Sequence, residues 1–344
     1  MTVWDEGLSE QIAINMRLKI QDYRRKPFHP SQYVLDEGLQ YAVELAIALG
    51  QPLLLTGEPG TGKTKLAYKV AYDLAQDKEA GVQFLAEPLS FYTKTTSAAR
   101  DLFYTYDALG HFQSANIKRE DGASLAKTAD FVELQALGKA IALSYPDPTV
   151  HGNLLGNLVV DGPKSTVVLI DEIDKAPRDF PNDILNEIEN LDFRIKELDN
   201  REFKHQDAQR IVIIMTSNSE KNLPDAFLRR CIFYHIPFPP AEQLFAIART
   251  QLGMDEQISP QQEKVLNRLI DYFYKVREVA VRKPPATAEL IAWLSMMGLP
   301  MDLQSDDLTA LQPQLLRNLS LLVKTREDLN AIRKWMNEEF VDWL

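Results

Sequence analysis

The sequence predicts an α/β fold, with buried parallel strands carrying helices on both faces, followed by an all-helical domain. Three observations lead there. The first is the stretch QPLLLTGEPGTGKT at 51–64: an apolar run from Leu53 to Leu55 ends in a glycine-rich loop, and the pattern then turns helical, with Leu66, Val70 and Leu74 four residues apart. The second is a pair of further apolar runs, VVLI at 167–170 and IVIIM at 211–215. They lack the polar alternation of half-exposed strands and read as strands covered on both sides. The third is a cluster of prolines, Pro237, Pro239 and Pro240, beyond which the segments have helical spacing.

With 344 residues the chain can bury a sizeable core and is expected to form two domains rather than one. A net charge of −11 and an isoelectric point near 5.1 set the surface as a whole against nucleic acid and anionic lipid, without excluding a local basic stripe in an oligomer pore. Protein partners are expected first. One cysteine, Cys231, rules out an internal disulfide framework and fits a reducing compartment. His29, His111, His151, His205 and His235 are scattered without metal-ligand spacing, so structural or surface roles are expected for them. The opening MTVWDEGLSEQ has neither a basic nor an apolar leader pattern, and no apolar stretch approaches membrane-spanning length; a soluble, cytoplasmic protein is expected.

Residues 1–32 read as a helical segment closed by Pro27 and Pro30. A helix from Leu35 to Leu49 then presents Leu39, Val43 and Ala46 on one face, with Gly50 as its stop. The segment before it, around Tyr33 and Val34, is a place for an adenine ring or for plain apolar packing. In the loop that follows, Gly57, Gly60 and Gly62 allow backbone conformations closed to residues with a Cβ, so that successive N–H groups can point at phosphate oxygens ahead of a helix N-terminus. Lys63 supplies a charge for the outer phosphates and the Thr64 hydroxyl a magnesium ligand. Gly57, Glu58, Pro59, Gly60, Thr61, Gly62, Lys63, Thr64 and Lys65 together form the candidate nucleotide-binding set.

FLAEPL at 84–89 is a candidate second strand, and roughly 75 residues, too many for a single loop, separate it from the next. Within them, the stretch with Phe103, Tyr104 and Tyr106 reads as a helix interrupted by a surface element that could contact a substrate or partner. VVLIDEID at 167–174 ends in two carboxylates where ligands collect in open α/β sheets. Asp171 is placed to hold magnesium, and Glu172 to orient and deprotonate an attacking water. A helix with Ile184, Leu185, Ile188 and Leu191 on one face follows, and FRIKELDNREFK then suggests a β-hairpin turning at Asp199 and Asn200. The strand at 211–218 ends in Asn218, whose amide can bond both a γ-phosphate and the lytic water. A short helix next carries Arg229 and Arg230 at its end, a helix terminus suited to cations or a finger toward a neighbouring subunit's nucleotide, before a fifth strand at Ile232–Ile236. The expected division is 1–32, a core at 33–238 and a helical domain at 239–344, including a long helix started by Ser259 and Pro260.

The loop GEPGTGKT, the strand VVLIDEID, the strand-end Asn218, the FLRRC arginines and the helical C-terminal region together resemble an AAA+ ATPase, over about residues 33–300. The run DEIDKAPRDFPNDILNEIE and the hairpin before the Asn218 strand are similar to its MoxR branch. The resemblance implies a five-stranded parallel P-loop αβα sandwich, an all-α lid, and a ring, commonly a hexamer, with ATP and Mg2+ at subunit interfaces. By position it gives Lys63 and Thr64 to phosphate and magnesium, Asp171 to magnesium, Glu172 the role of base, Asn218 that of first sensor, and Arg230, with Arg229 beside it, that of the finger acting across the interface. One element departs. MoxR-like lids offer a second-sensor arginine in an S-P-R-A context, whereas KPPATAEL here has Thr287 at the expected place, with Arg282 or Lys283 as substitutes.

The family's work implies a chaperone-like ATPase that remodels or matures a client protein, often with a von Willebrand factor A domain partner. Two other readings are a nucleotide-dependent switch or scaffold in a defence or signalling complex, which would predict loss of Glu172, and a nucleic-acid-linked motor, against which the charge of −11 argues.

Overall fold

A computed structural model describes residues 28–77, 81–121, 127–219, 223–254, 258–298 and 308–340. The expected N-terminal helical segment falls almost wholly on 1–27, outside these residues, as does Trp343 of the last helix.

A turn of 3-10 helix at Pro30–Gln32 leads into α1 (Glu37–Leu49), β1 (Leu53–Gly57) and α2 (Lys63–Gln76). Then come β2 (Leu89–Tyr92), β3 (Tyr104–Tyr106), α3 (Ala108–Asp121), β4 (Val132–Leu134), α4 (Ala136–Leu143) and β5 (Thr166–Asp171). Two short helices, α5 (Phe180–Asp183) and α6 (Leu185–Asn190), precede the hairpin β6 (Asp192–Ile195) and β7 (Arg201–Lys204), which is followed by β8 (Ile211–Thr216), α7 (Asp225–Leu228) and β9 (Ile232–Ile236). The remaining elements are helical: α8 (Ala241–Leu252), α9 (Pro260–Val279), α10 (Thr287–Met296), α11 (Leu308–Arg317), α12 (Leu319–Leu322) and α13 (Arg326–Glu338).

Five strands form one parallel sheet in the order β2-β5-β8-β1-β9, the architecture the resemblance implies. Successive side chains of a strand point to opposite faces, and here both faces are covered, which is why these strands carry no polar alternation. Leu53, Leu55, Val167, Leu169 and Ile214 pack with Leu39 and Val43 of α1 and Leu66 and Val70 of α2. Their neighbours Leu54, Val168, Ile170 and Met215 pack on the other side with Leu137 and Ile141 of α4 and with Phe180 and Ile184. Because the strands run parallel, their C-terminal ends share one edge, where the register sets Tyr92 beside Asp171.

Two expectations are corrected. The second strand is Leu89–Tyr92, not 84–89; Phe84 makes only an isolated bridge to Ser165. Pro88 explains the shift, since it has no N–H for a ladder and restrains the residue before it. The aromatic stretch is an α-helix only from Ala108 on, and the residues ahead of it form a partly buried strand, not a surface element. Tyr104–Tyr106 pairs antiparallel with Val132–Leu134, and Phe103 and Tyr104, 3% and 2% exposed, stack on Phe193 of the β6–β7 hairpin. That hairpin forms where expected, turning at Asp199 and Asn200 with φ of 53° and 57°.

The helical lid has its own core, from Leu244 to Phe340. Its longest helix, α9, starts as expected, with Ser259 accepting from the N–H of Gln262 and Pro260 in the first turn. Asp328, at the start of α13, is 3% exposed and accepts from the N–H groups of Arg282 and Lys283, each at 3.0 Å, and from the Thr325 hydroxyl at 2.7 Å. Burial pushes its carboxyl up, but the N–H of Arg282, the hydroxyl of Thr325 and the N–H of Lys283 together hold it below its ordinary value. It thereby fixes the α9–α10 loop, which reaches the phosphate loop. Asp328→Ala should cost about 2 kcal/mol or more of lid stability in chemical denaturation, because three donors lose a charged acceptor. A carboxyl lowered in the folded state stabilises it above the unfolded value and stops doing so once protonated. The difference between the original chain and Asp328→Ala should therefore shrink as the pH falls below 3.8.

Candidate functional site

The glycine-rich loop joins β1 to α2, and its curvature has visible causes. At Gly57, φ is 143°, and a Cβ would stand 2.5 Å from the carbonyl oxygen of Ile236 in the neighbouring strand. At Gly60, φ is 80°, and a Cβ would stand 2.8 Å from the Cβ of Ala286 in the lid. The first glycine lets the loop leave the sheet; the second lets the lid sit on the loop. Inside the curve, Lys63 Nζ donates to the carbonyl oxygens of Gly57 at 2.8 Å and Glu58 at 2.9 Å. Lys63 is 7% exposed, and burial lowers its ammonium pKa, opposed by the nearby charges of Asp174, Asp171, Glu172 and Glu58.

At the end of β5, Asp171 Oδ1 accepts from the hydroxyls of Thr64 at 2.9 Å and Thr216 at 2.6 Å. Thr216 Oγ1 in turn accepts from the N–H of Glu172 at 2.9 Å. Glu172 has a left-handed backbone, φ 56°, a strained conformation for a residue with a Cβ, and its carboxylate pairs with Lys175. The N–H of Asn218 donates to Asp174 Oδ1 at 3.3 Å, tying the ends of β5 and β8 together. A hydroxyl and a single carboxylate already in contact fit magnesium, which is held by one or two protein oxygens together with substrate phosphates and water. Among the described residues no group of three or more His, Cys, Asp or Glu forms a cage for a metal.

Lys63, Thr64, Asp171, Glu172, Thr216 and Asn218 border one cavity of about 330 Å³. Pro59 to Lys65 form its floor, with Asp171, Glu172, Thr216 and Asn218 at one end. Tyr33, Val34, Ile236, Ile247 and Ile291 form an apolar wall, joined by Gln243 and Gln251 of α8. Tyr33 and Val34 thus border the cavity itself, and burial raises the Tyr33 hydroxyl so that it stays neutral.

Arg229 and Arg230 do not border this cavity. They follow α7, where Arg230 pairs with Glu189 and donates to the carbonyl of Ala226 at 3.0 Å, while Arg229 is exposed. Arg282 and Lys283 do not border it either; their side chains are exposed and their N–H groups are bound to Asp328. Thr287 does, 8% exposed and with no hydrogen-bond partner for its hydroxyl. Sequence reading missed Thr216, signalled only by a hydroxyl closing an apolar strand two residues before Asn218. It also missed Gln243 and Gln251, whose eight-residue interval around Ile247 marks one face of α8.

Residues 52–231 match the profile of the AAA domain, dynein-related subfamily. Among solved structures, the chain is similar to domain III of the replication initiation protein DnaA of Thermotoga maritima, at 14% identity over 89% of this chain and 95% of that one, with a TM-score of 0.39. It is also similar to two mutants of Thermotoga maritima RuvB. One has 16% identity, 92% and 81% coverage and a TM-score of 0.45; the other has 17%, 89% and 75%, with 0.41. A search of curated proteins finds no match.

Gly57→Ala should lower nucleotide affinity at least tenfold in calorimetric titration although Lys63 is intact, because the added methyl meets backbone that cannot turn aside. Gly50→Ala is the control. It too has a positive φ, 63°, but a Cβ there would meet nothing within 4 Å, and the change should leave affinity unchanged.

Proposed function

Because the chain belongs to the AAA domain family, dynein-related subfamily, we propose that it is an ATP-hydrolysing, MoxR-like chaperone that works as a ring on a client protein. Membership in the family carries nucleotide hydrolysis in general. The observation that carries the reading for this chain is the convergence of Lys63, Thr64, Asp171, Glu172 and Asn218 on one cavity at the C-terminal edge of the parallel sheet.

The chemistry follows from this arrangement. The loop N–H groups and the N-terminus of α2 receive the phosphates, and Lys63 exchanges its carbonyl partners for phosphate oxygens. Thr64 and Asp171 would hold magnesium, which when bound supplies positive charge against the phosphate oxygens. Glu172 takes the proton of the attacking water after its carboxylate leaves Lys175, and Asn218 orients that water. The apolar wall of Tyr33, Val34, Ile247 and Ile291 takes the base. Support for the MoxR branch comes from the DEIDKAPRDFPNDILNEIE run and the β6–β7 hairpin, and support for a client-remodelling role comes from that resemblance. A von Willebrand factor A domain protein is the partner class it suggests.

Calorimetry should find magnesium-dependent ATP binding in preference to GTP. Glu172→Gln should keep ATP bound but remove most phosphate release, and Lys63→Ala should lose binding. GTP binding without ATP binding, or a Glu172→Gln variant with unchanged turnover, would overturn the assignment.

Support for a ring comes from Arg229 and Arg230, which stand away from their own chain's cavity. An arginine finger contributes about 10³ to 10⁵ in turnover, so dilute subunits should bind ATP and hydrolyse it slowly. Mixing Arg229→Ala/Arg230→Ala with Glu172→Gln should restore part of the activity at interfaces that join the intact base to the intact arginines. No recovery in oligomers shown by native mass spectrometry to contain both variants would place the arginines outside the reaction.

A further inference from the structure

Arg277, near the end of α9, reaches from the lid to the phosphate loop. Its Nη2 donates to Glu58 Oε2 at 2.8 Å, its guanidinium lies 3.4 Å from the ring centre of Phe238, and its Nη1 donates to the carbonyl of Pro285. The side chain is 11% exposed although Glu58 is 47% exposed, so the cation is held in place while the carboxylate remains near water. One turn earlier on the same face, the Tyr274 hydroxyl donates to the carbonyl of Pro239 and its ring meets Phe238 edge-on at 6.1 Å. This face of α9 thus grips the proline-rich link from sheet to lid and the phosphate loop together.

Glu58 is the joint between them. Its carboxylate is bound to Arg277, while its carbonyl oxygen accepts from Lys63 Nζ and from Thr61 Oγ1, each at 2.9 Å. Two residues on, Gly60 packs directly under Ala286, which directly follows the Pro285 that Arg277 also holds.

We propose that Arg277 is a positioning residue for hydrolysis, transmitting the attitude of the lid to Lys63 through Glu58. This rests on the ATPase reading above. When Lys63 leaves the Glu58 carbonyl for a phosphate oxygen, Glu58 keeps Thr61 within the loop and Arg277 on the lid side, so the lid's share in placing it grows and lid placement and phosphate binding bias each other. The lid is read at the loop, without a cation of its own among the residues bordering the cavity.

The test is a double-mutant cycle on steady-state ATP hydrolysis and ATP affinity, using the full chain under the conditions in which it assembles. Arg277→Ala and Glu58→Gln should each lower kcat/KM about tenfold or more, and the double variant should lose no more than the worse single one. The reversed pair, Arg277→Glu with Glu58→Arg, should recover at least tenfold over Arg277→Glu alone. Glu58→Gln keeps the proposal falsifiable even if Arg277→Ala unfolds, since it removes only the charge of a half-exposed side chain. Losses that multiply, or a Glu58→Gln variant with the kcat and KM of the original chain, would overturn the proposal. An original chain that binds no ATP would instead overturn the ATPase reading, and the two failures are separable.

Discussion

A cation buried at the end of a buried strand constrains most of this molecule. Lys63 is 7% exposed, and an ammonium taken out of water must be met by oxygen atoms or lose its charge. The carbonyls of Gly57 and Glu58 meet it because the chain turns back on itself, and it can turn back only because Gly57 approaches the Ile236 carbonyl without a Cβ. Four carboxylates, Asp174, Asp171, Glu172 and Glu58, add the field that opposes deprotonation. Strand order supplies three of them. With β1 next to β8 and β8 next to β5, the acidic end of β5 comes to within one strand of the lysine.

The same edge sets the state of the carboxylates. Asp171 is fixed from two sides by hydroxyls, Thr64 from the lysine's own helix and Thr216 from β8, and is therefore aimed where α2 begins. Glu172 is fixed by its backbone, with a left-handed φ and an N–H bound to Thr216, while its side chain is 42% exposed and paired only with a mobile type of partner, a lysine. A fixed carboxylate beside a more exposed one suits the proposed division between a metal ligand and a base.

Much of this was legible in the sequence, and the residues show why. β1, β5 and β8 declared themselves because both faces are covered and the apolar runs are unbroken. The loop declared itself because phosphate binding restricts spacing as well as composition. β2 was misplaced because an apolar run containing Pro88 looks like a strand until its partner's register is known. Tyr104–Tyr106 was misread because a strand this short is recognised by its partner at 132–134, not by its own pattern. Arg277 was invisible for a similar reason: its carboxylate partner lies 219 residues away along the chain. Where the second-sensor arginine was sought, Thr287 does border the cavity, but Arg282 and Lys283 present backbone to Asp328 and side chains to solvent.

That outcome bears on where positive charge for the reaction must come from. The cationic side chains bordering the cavity are Lys63 and Lys65, and the Lys65 ammonium lies 4.5 Å from the ring centre of Phe28. The lid contributes an uncharged wall, Thr287, Ala288 and Ile291, next to Ala286, which lies against Gly60. Its nearest guanidinium found in contact with the phosphate loop, Arg277, is already matched by the Glu58 carboxylate and adds no net charge. With Lys65 over Phe28, the two lysines are a small cationic complement for the triphosphate of the proposed reaction, even with the magnesium ion proposed at Thr64 and Asp171. Neutral lid residues therefore shift the demand for a further cation away from the lid and toward groups outside this chain's own cavity. In the proposed ring, Arg229 and Arg230, exposed after α7 and away from their own chain's cavity, are the cations that a neighbouring copy would offer.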